Sequence, residues 1–150
     1  MFRDALKPLL AIAIVLILFL FISQALTGFF SSLRLVSNLG AVRVVGVGVY
    51  WDINCTSPVN YLDWGELKAG SMKNITVFVR NEGSANATLF LNTSNWNPPD
   101  ASKFITLGWD YNQQLLQPTE IADITLTLTI SSATRGLESF KFDVVIGIGG

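Results

Sequence analysis

Histidine is absent from the 150-residue sequence, and cysteine occurs once, at Cys55. The first absence removes the commonest metal ligand and the usual general base near neutral pH. The second excludes an intrachain disulfide, so the fold must be held by its core. Without a histidine to activate it, Cys55 reads as a structural thiol and not a nucleophile. Charge is also scarce. Asp, Glu, Lys and Arg make up 14% of the chain, against about a quarter in ordinary soluble domains. The net charge of −1 leaves no electrostatic footprint for nucleic acid. The carboxylates are scattered, and no loop has the alternating oxygen-donor spacing of a calcium site. Nothing supports glycosidase-type acid–base chemistry. No cofactor, metal or catalytic residue is therefore expected, and an enzyme is the least supported class.

What the chain has in abundance is apolar surface, unevenly placed. Half of the residues are hydrophobic, and residues 9–22 (LLAIAIVLILFLFI) contain no polar side chain. Ser23, Gln24 and Thr27 are the only polar interruptions between Leu9 and Phe30. At ~1.5 Å per helical residue, that stretch reaches across the hydrocarbon of a bilayer. The pattern predicts one helix from about Ala5 to Asn38. Pro8 stands near its start, where a missing N–H is tolerated, and Asn38 and Gly40 supply a stop. Three roles fit such a segment. A removable secretory signal would use Arg3 and Lys7 as its basic region and Ser23-Gln24-Ala25 as its cleavage site. A plain membrane anchor would keep the same basic residues in the cytoplasm. A filament-forming helix would span the membrane before assembly and pack against its copies afterwards. Apolar residues continue past Ala25 through Leu26, Phe29, Phe30, Leu33, Leu35 and Val36, which favours a retained segment with a partner over an exposed sticky terminus.

The opening Ala5-Leu6-Lys7-Pro8-Leu9-Leu10-Ala11-Ile12 resembles the start of archaeal type IV pilins and archaeal flagellins. In those families a small residue precedes a Ser-Pro-Leu-Ile-like entry to a long apolar helix. The resemblance covers about the first 35 residues. Arg3 is followed by Asp4, not by a basic leader, and processing between Ala5 and Leu6 would make Leu10 the fifth mature residue. The bacterial branch carries a glutamate there, so the likeness is to the archaeal branch. The resemblance implies a structural subunit that assembles through Leu9, Leu10, Ile12, Ile14, Leu16, Leu18, Phe19, Phe21, Phe29, Phe30 and Leu33. It implies as partners copies of the chain itself, the membrane before assembly, and a pilus assembly machinery, with the product an adhesive filament at the cell surface. The alternative is a single-pass membrane-anchored, or secreted, binding domain.

Beyond Asn38 the hydrophobic period changes to two. Residues 41–50 (AVRVVGVGVY) read as one Val/Gly-rich strand, with Gly46 and Gly48 making room for a neighbouring backbone. Residues 74–80 place Ile75, Val77 and Val79 on one face and Thr76, Phe78 and Arg80 on the other. Residues 87–92 turn Leu89 and Leu91 inward. Residues 124–130 alternate Ile124, Leu126, Leu128 and Ile130 with threonines, and residues 140–148 align Phe140, Phe142, Val144, Ile146 and Ile148. Turn clusters at 68–71, 81–84, 95–100, 117–120 and 133–136 separate these runs. The expected fold is therefore α+β: a hydrophobic α-helix over 1–38, then an immunoglobulin-like sandwich of about seven strands over 39–150. From about Asp63 onward the chain also resembles small adhesion-type immunoglobulin-like modules of prokaryotic cell surfaces. There a Leu-x-x-Gly turn (Leu67 to Gly70) precedes a strand ending in Arg-Asn-x-Gly (Arg80 to Gly83).

Four Asn-x-Ser/Thr sequons, at Asn54, Asn74, Asn86 and Asn92, lie within forty residues. They suit an exported glycoprotein, whose glycans would offset the sparse surface charge. Trp51, Trp64, Trp96 and Trp109 are read first as core anchors and second as a sugar-stacking platform.

Overall fold

The computed structural model describes residues 36–149, within a compact unit spanning Leu35–Gly150. Eight strands form it: β1 (Val36–Val45), β2 (Val47–Tyr50), β3 (Tyr61–Leu67), β4 (Met72–Asn81), β5 (Thr88–Asn97), β6 (Ile105–Trp109), β7 (Ile121–Ile130) and β8 (Ser139–Gly149). A five-residue 3-10 turn, Pro99–Lys103, leads into β6. The strands make two four-stranded sheets, ordered β3-β1-β8-β5 and β2-β4-β7-β6.

This corrects the α+β expectation. Among the described residues the fold is all-β, and no helix is long and apolar enough to cross a membrane. Residues 36–38, assigned from sequence to the end of a helix, open β1 instead. Val36, Ser37 and Asn38 pair antiparallel with Leu67, Glu66 and Gly65, while Ser37 and Asn38 pair in parallel with Ser139 and Phe140. Long-range pairing on both flanks overrides local helical periodicity, which is a weak prior for a few residues. The rest of the expected helix, with the assembly residues Leu9 to Leu33, lies outside the described residues. The architecture is a β-sandwich with four strands per sheet, in place of the expected immunoglobulin-like arrangement of about seven strands.

The expected strand over 41–50 is two strands in different sheets. Gly46 sits between them at φ +71, a left-handed conformation that costs glycine nothing, and there the chain crosses from one sheet to the other. Gly48 makes room not for backbone but for side chains: an added Cβ would meet the Tyr50 ring at 2.4 Å and the Glu82 carboxylate at 2.6 Å.

Alternation fills the space between the sheets. Val77 and Val79 of β4, Ile124, Leu126, Leu128 and Ile130 of β7, and Phe140, Phe142, Val144 and Ile146 of β8 are buried, with Leu62 and Trp64 of β3 completing the core. Each such side chain contributes on the order of 1.5–3 kcal/mol of transfer free energy. Trp96 stacks on Phe142 with ring centroids 4.2 Å apart and planes 8° from parallel. Its indole N–H donates to Thr93 Oγ1 at 3.2 Å.

Candidate functional site

The outward faces of the two sheets differ in chemistry. On the β2-β4-β7-β6 face, Thr76, Thr106, Thr125, Thr127 and Thr129 share an uncharged surface with Asn74 and the exposed Met72. The same face ends in a charged cluster. Tyr50 donates its hydroxyl to Glu82 Oε1 at 2.9 Å, Arg80 Nε donates to the same oxygen at 2.8 Å, and the guanidinium carbon lies 5.2 Å from the Tyr50 ring centre. The bond to Arg80 is the main reason the Glu82 carboxyl is held below its ordinary value. Donation to Glu82 pushes the Tyr50 phenol up. These groups hold β2 against β4.

On the β3-β1-β8-β5 face the polar centre is Asp143 of β8. Asn95 Nδ2 donates to its carboxylate at 2.7 Å, and Arg43 Nε donates to the same oxygen. Asn95 reaches it from an irregularity in β5 between Ser94 and Asn97, where its φ of 53 is a conformation asparagine accepts more readily than most residues. The hydrogen bond from Asn95, then that from Arg43, holds the Asp143 carboxyl below the usual aspartate range. Asn81 forms a second internal polar centre at the end of β4. Its amide donates to Ala85 O at 2.9 Å and Leu116 O at 3.1 Å and accepts from Gly83 N at 2.9 Å. Every polar atom of this buried side chain is thereby bonded.

One concavity opens at the side of the sandwich where β5 and β6 run as the free edges of the two sheets. It has a volume of about 490 Å³ and is lined by Leu89, Phe90, Leu91, Leu107, Gly108, Trp109, Tyr111 and Gln113. No ionisable carboxylate or amine lines it. The Trp109 and Tyr111 rings lie 5.2 Å apart at 58°. Tyr111 is held in place by its hydroxyl, which donates to Gln114 O and accepts from Leu89 N at 3.2 Å. A groove of this size with an amphipathic aromatic lining suits an uncharged, partly apolar guest.

The tryptophans named from sequence do not converge. Trp64 is fully buried and Trp96 is stacked in the core, whereas Trp51 is 43% exposed in the turn after β2, and only Trp109 lines the groove. The four sequon asparagines are exposed. Asn54 lies in the loop after β2, Asn74 on the outer face of β4, Asn86 in the β4–β5 loop and Asn92 in β5. Two of the sequon hydroxyls already have acceptors, Thr56 on Asp52 at 3.1 Å and Thr88 on Gly149 O at 2.9 Å. Cys55 sits within the first sequon at φ 55, its thiol 3.8 Å from Ile53 O. Among the described residues no three His, Cys, Asp or Glu side chains gather as a metal site. Sequence reasoning missed the groove. Its β6 wall is a five-residue strand, and the approach of that strand to β5 leaves no local signal. No family model matches the chain, and no curated protein matches it.

Proposed function

We propose that this chain is the structural subunit of an extracellular filament of the archaeal type IV pilus kind. Its apolar N-terminal stretch drives self-assembly, and its β-sandwich forms the coat that faces the surroundings. The observation that carries this reading is the sequence junction. Residues 9–22 are uninterruptedly apolar, apolar character continues through Phe29, Phe30 and Leu33, and β1 begins at Val36. A segment of that length buried against its copies hides on the order of 1,500 Å². At roughly 25 cal/mol per Å², association in water is strongly favoured. Lipid tails are as apolar as leucine, so the gain within a membrane is small, and a dedicated assembly machinery is needed to draw subunits out. The exposed sequons support an exported, glycosylated coat, and no catalytic role is proposed.

Negative-stain microscopy of sheared cell-surface material, with intact mass of the purified polymer, tests this. Helical filaments composed of this polypeptide are the expected result, with a mass loss on chemical deglycosylation. Recovery of the chain only as discrete particles or in the membrane fraction would remove the filament reading. That outcome would favour a membrane-anchored binding domain, the reading to which the β5/β6 groove lends weight.

A further inference from the structure

Two open sheets present four edge strands, and such edges are templates for pairing with another chain unless they are blocked. Three of the four are blocked or interrupted by identifiable means. Along β2, the outward Val49 carbonyl accepts from Val59 N at 2.8 Å and the Trp51 amide donates to Ser57 O at 2.8 Å. On β3 the register shifts opposite Gly65, Asp63 takes the Gly65 amide at 2.8 Å, and Lys73 Nζ takes the Trp64 carbonyl at 2.6 Å. Its Asp63 and Glu66 also repel a like strand. On β5, Ala87 just before the strand exchanges two hydrogen bonds with Leu116, Tyr111 takes the Leu89 amide, and Asn92 takes the Thr93 amide at 2.8 Å, so that only Leu91 between them is left uncapped.

β6 has none of these devices. The Phe104 carbonyl accepts from Ser131, just past β7, and the Asp110 amide donates to Thr125 of β7, so by alternation the backbone groups of Ile105, Leu107 and Trp109 point away from the sheet. Ile105 is buried directly after the 3-10 turn. Leu107 and Trp109 are partly exposed, and their outward groups have no hydrogen-bond partner among the described residues. The strand, Ile-Thr-Leu-Gly-Trp, carries no charge and no proline. The charges beyond its ends are already partnered, Lys103 with Asp100 at 2.6 Å and Asp110 with the Thr125 amide at 2.8 Å.

We infer that β6 is an interface strand that pairs antiparallel with β6 of a second copy of this chain, centred on Gly108. This register satisfies the outward groups of both open residues in both copies, Leu107 opposite Trp109 twice over. It sets Gly108 opposite its own counterpart at a position without direct hydrogen bonds, where the strands approach to about 4.5 Å between Cα atoms. An added Cβ at Gly108 meets nothing within 4 Å, so the position is open on the outer face. Uncharged strands suffer no like-charge penalty on meeting, and the arriving strand covers the apolar mouth between β5 and β6. Two-fold pairing uses up the edge in both copies, so this particular contact closes at two copies and does not propagate through β6. The two β2-β4-β7-β6 sheets then become one continuous sheet. This pairing does not depend on filament assembly.

Cross-linking the full-length chain in detergent micelles tests the register. Gly108→Cys in a Cys55→Ser background is expected to oxidise to a covalent dimer. Ser132→Cys, exposed in the β7–β8 turn, is expected to remain mostly monomeric in the same background. Equal dimer yields from the two would overturn the inference. A second variant, Gly108→Lys, has room for its side chain and places like charges face to face. It is expected to abolish the dimer in sedimentation while the monomer keeps a cooperative thermal unfolding transition, and a persisting dimer counts against the pairing. Protection of the Leu107 and Trp109 amides in a preparation that holds another polypeptide and no dimer likewise overturns it, because the edge then belongs to a different partner.

Discussion

The two long sides of this sandwich are made of similar strands and finished differently. On the β2/β3 side the segment 57–60 runs along both edges, bonding Val49 and Trp51 of one sheet and Val42 of the other, and Lys73 reaches across to the Trp64 carbonyl. On the β5/β6 side the sheets part to leave a groove of about 490 Å³. There β5 is capped on either side of Leu91 by side chains and by Leu116, while β6 is left open at Leu107 and Trp109. The closed side is finished mainly by backbone bonds from one nearby segment, and the open side by the distant Ala87–Leu116 backbone pair and by single side chains standing in for a missing strand. A sandwich can thus be complete as a core and incomplete as a hydrogen-bonding surface, and the incomplete side is where recognition is most economically placed.

The largest expected effect contrasts the two sides through their tryptophans. Trp64→Ala on β3 removes a fully buried side chain and is expected to cost about 3–5 kcal/mol in chemical denaturation. Trp109→Ala on the open side should cost clearly less, because the ring already borders solvent. Equal losses would show that the groove is as tightly packed as the core. Next, Asn81→Ala is expected to cost about 3 kcal/mol, three hydrogen bonds at about 1 kcal/mol each, since it strips partners from Gly83, Ala85 and Leu116. Leu116 is the residue that caps Ala87, so amide exchange at Ala87 should accelerate with it.

Acid should act through Asp143. Its folded pKa lies below the ordinary value of 3.8, so its stabilising contribution is present above the unfolded pKa. That contribution is lost as the pH falls from about 5 through 3.8 to the folded value. Asp143→Asn should flatten this part of the stability–pH curve, measured by thermal midpoint from pH 6 to pH 2. An unchanged slope would mean that other carboxylates carry the acid response. The smallest effect is reserved for the open side. Tyr111→Phe removes the hydroxyl that takes the Leu89 amide and should cost about 0.5–1.5 kcal/mol, with faster exchange at Leu89 and none at Val49.

Several strands could be read without coordinates. β4, β7 and β8 carry an unbroken period of two, and their inward residues are those the alternation names. β3 was hidden because Leu62, Trp64 and Leu67 break the period at the Gly65 irregularity. β6 was hidden because it is only five residues long, with a glycine inside. At 36–38 local apolar periodicity suggested a helix, and pairing with β3 and β8 decided for a strand. Of the candidate site, the sequons were legible as motifs. Exposure of their asparagines, the dispersal of the four tryptophans and the β5/β6 groove depend on which strands become neighbours, and a linear pattern does not encode that.

By itself the sequence determined the chemistry available: no histidine, one thiol, little charge, an apolar N-terminal stretch and a β-rich remainder with alternating faces. Side-chain alternation is a local consequence of strand geometry, so it survives in the sequence. Only the tertiary structure decided that Gly46 is the crossing point between sheets, that Trp64 is core while Trp109 borders a groove, and that β6 is the edge left without a cap. Those outcomes follow from the order of strands in each sheet, which is set by contacts between residues far apart in the chain.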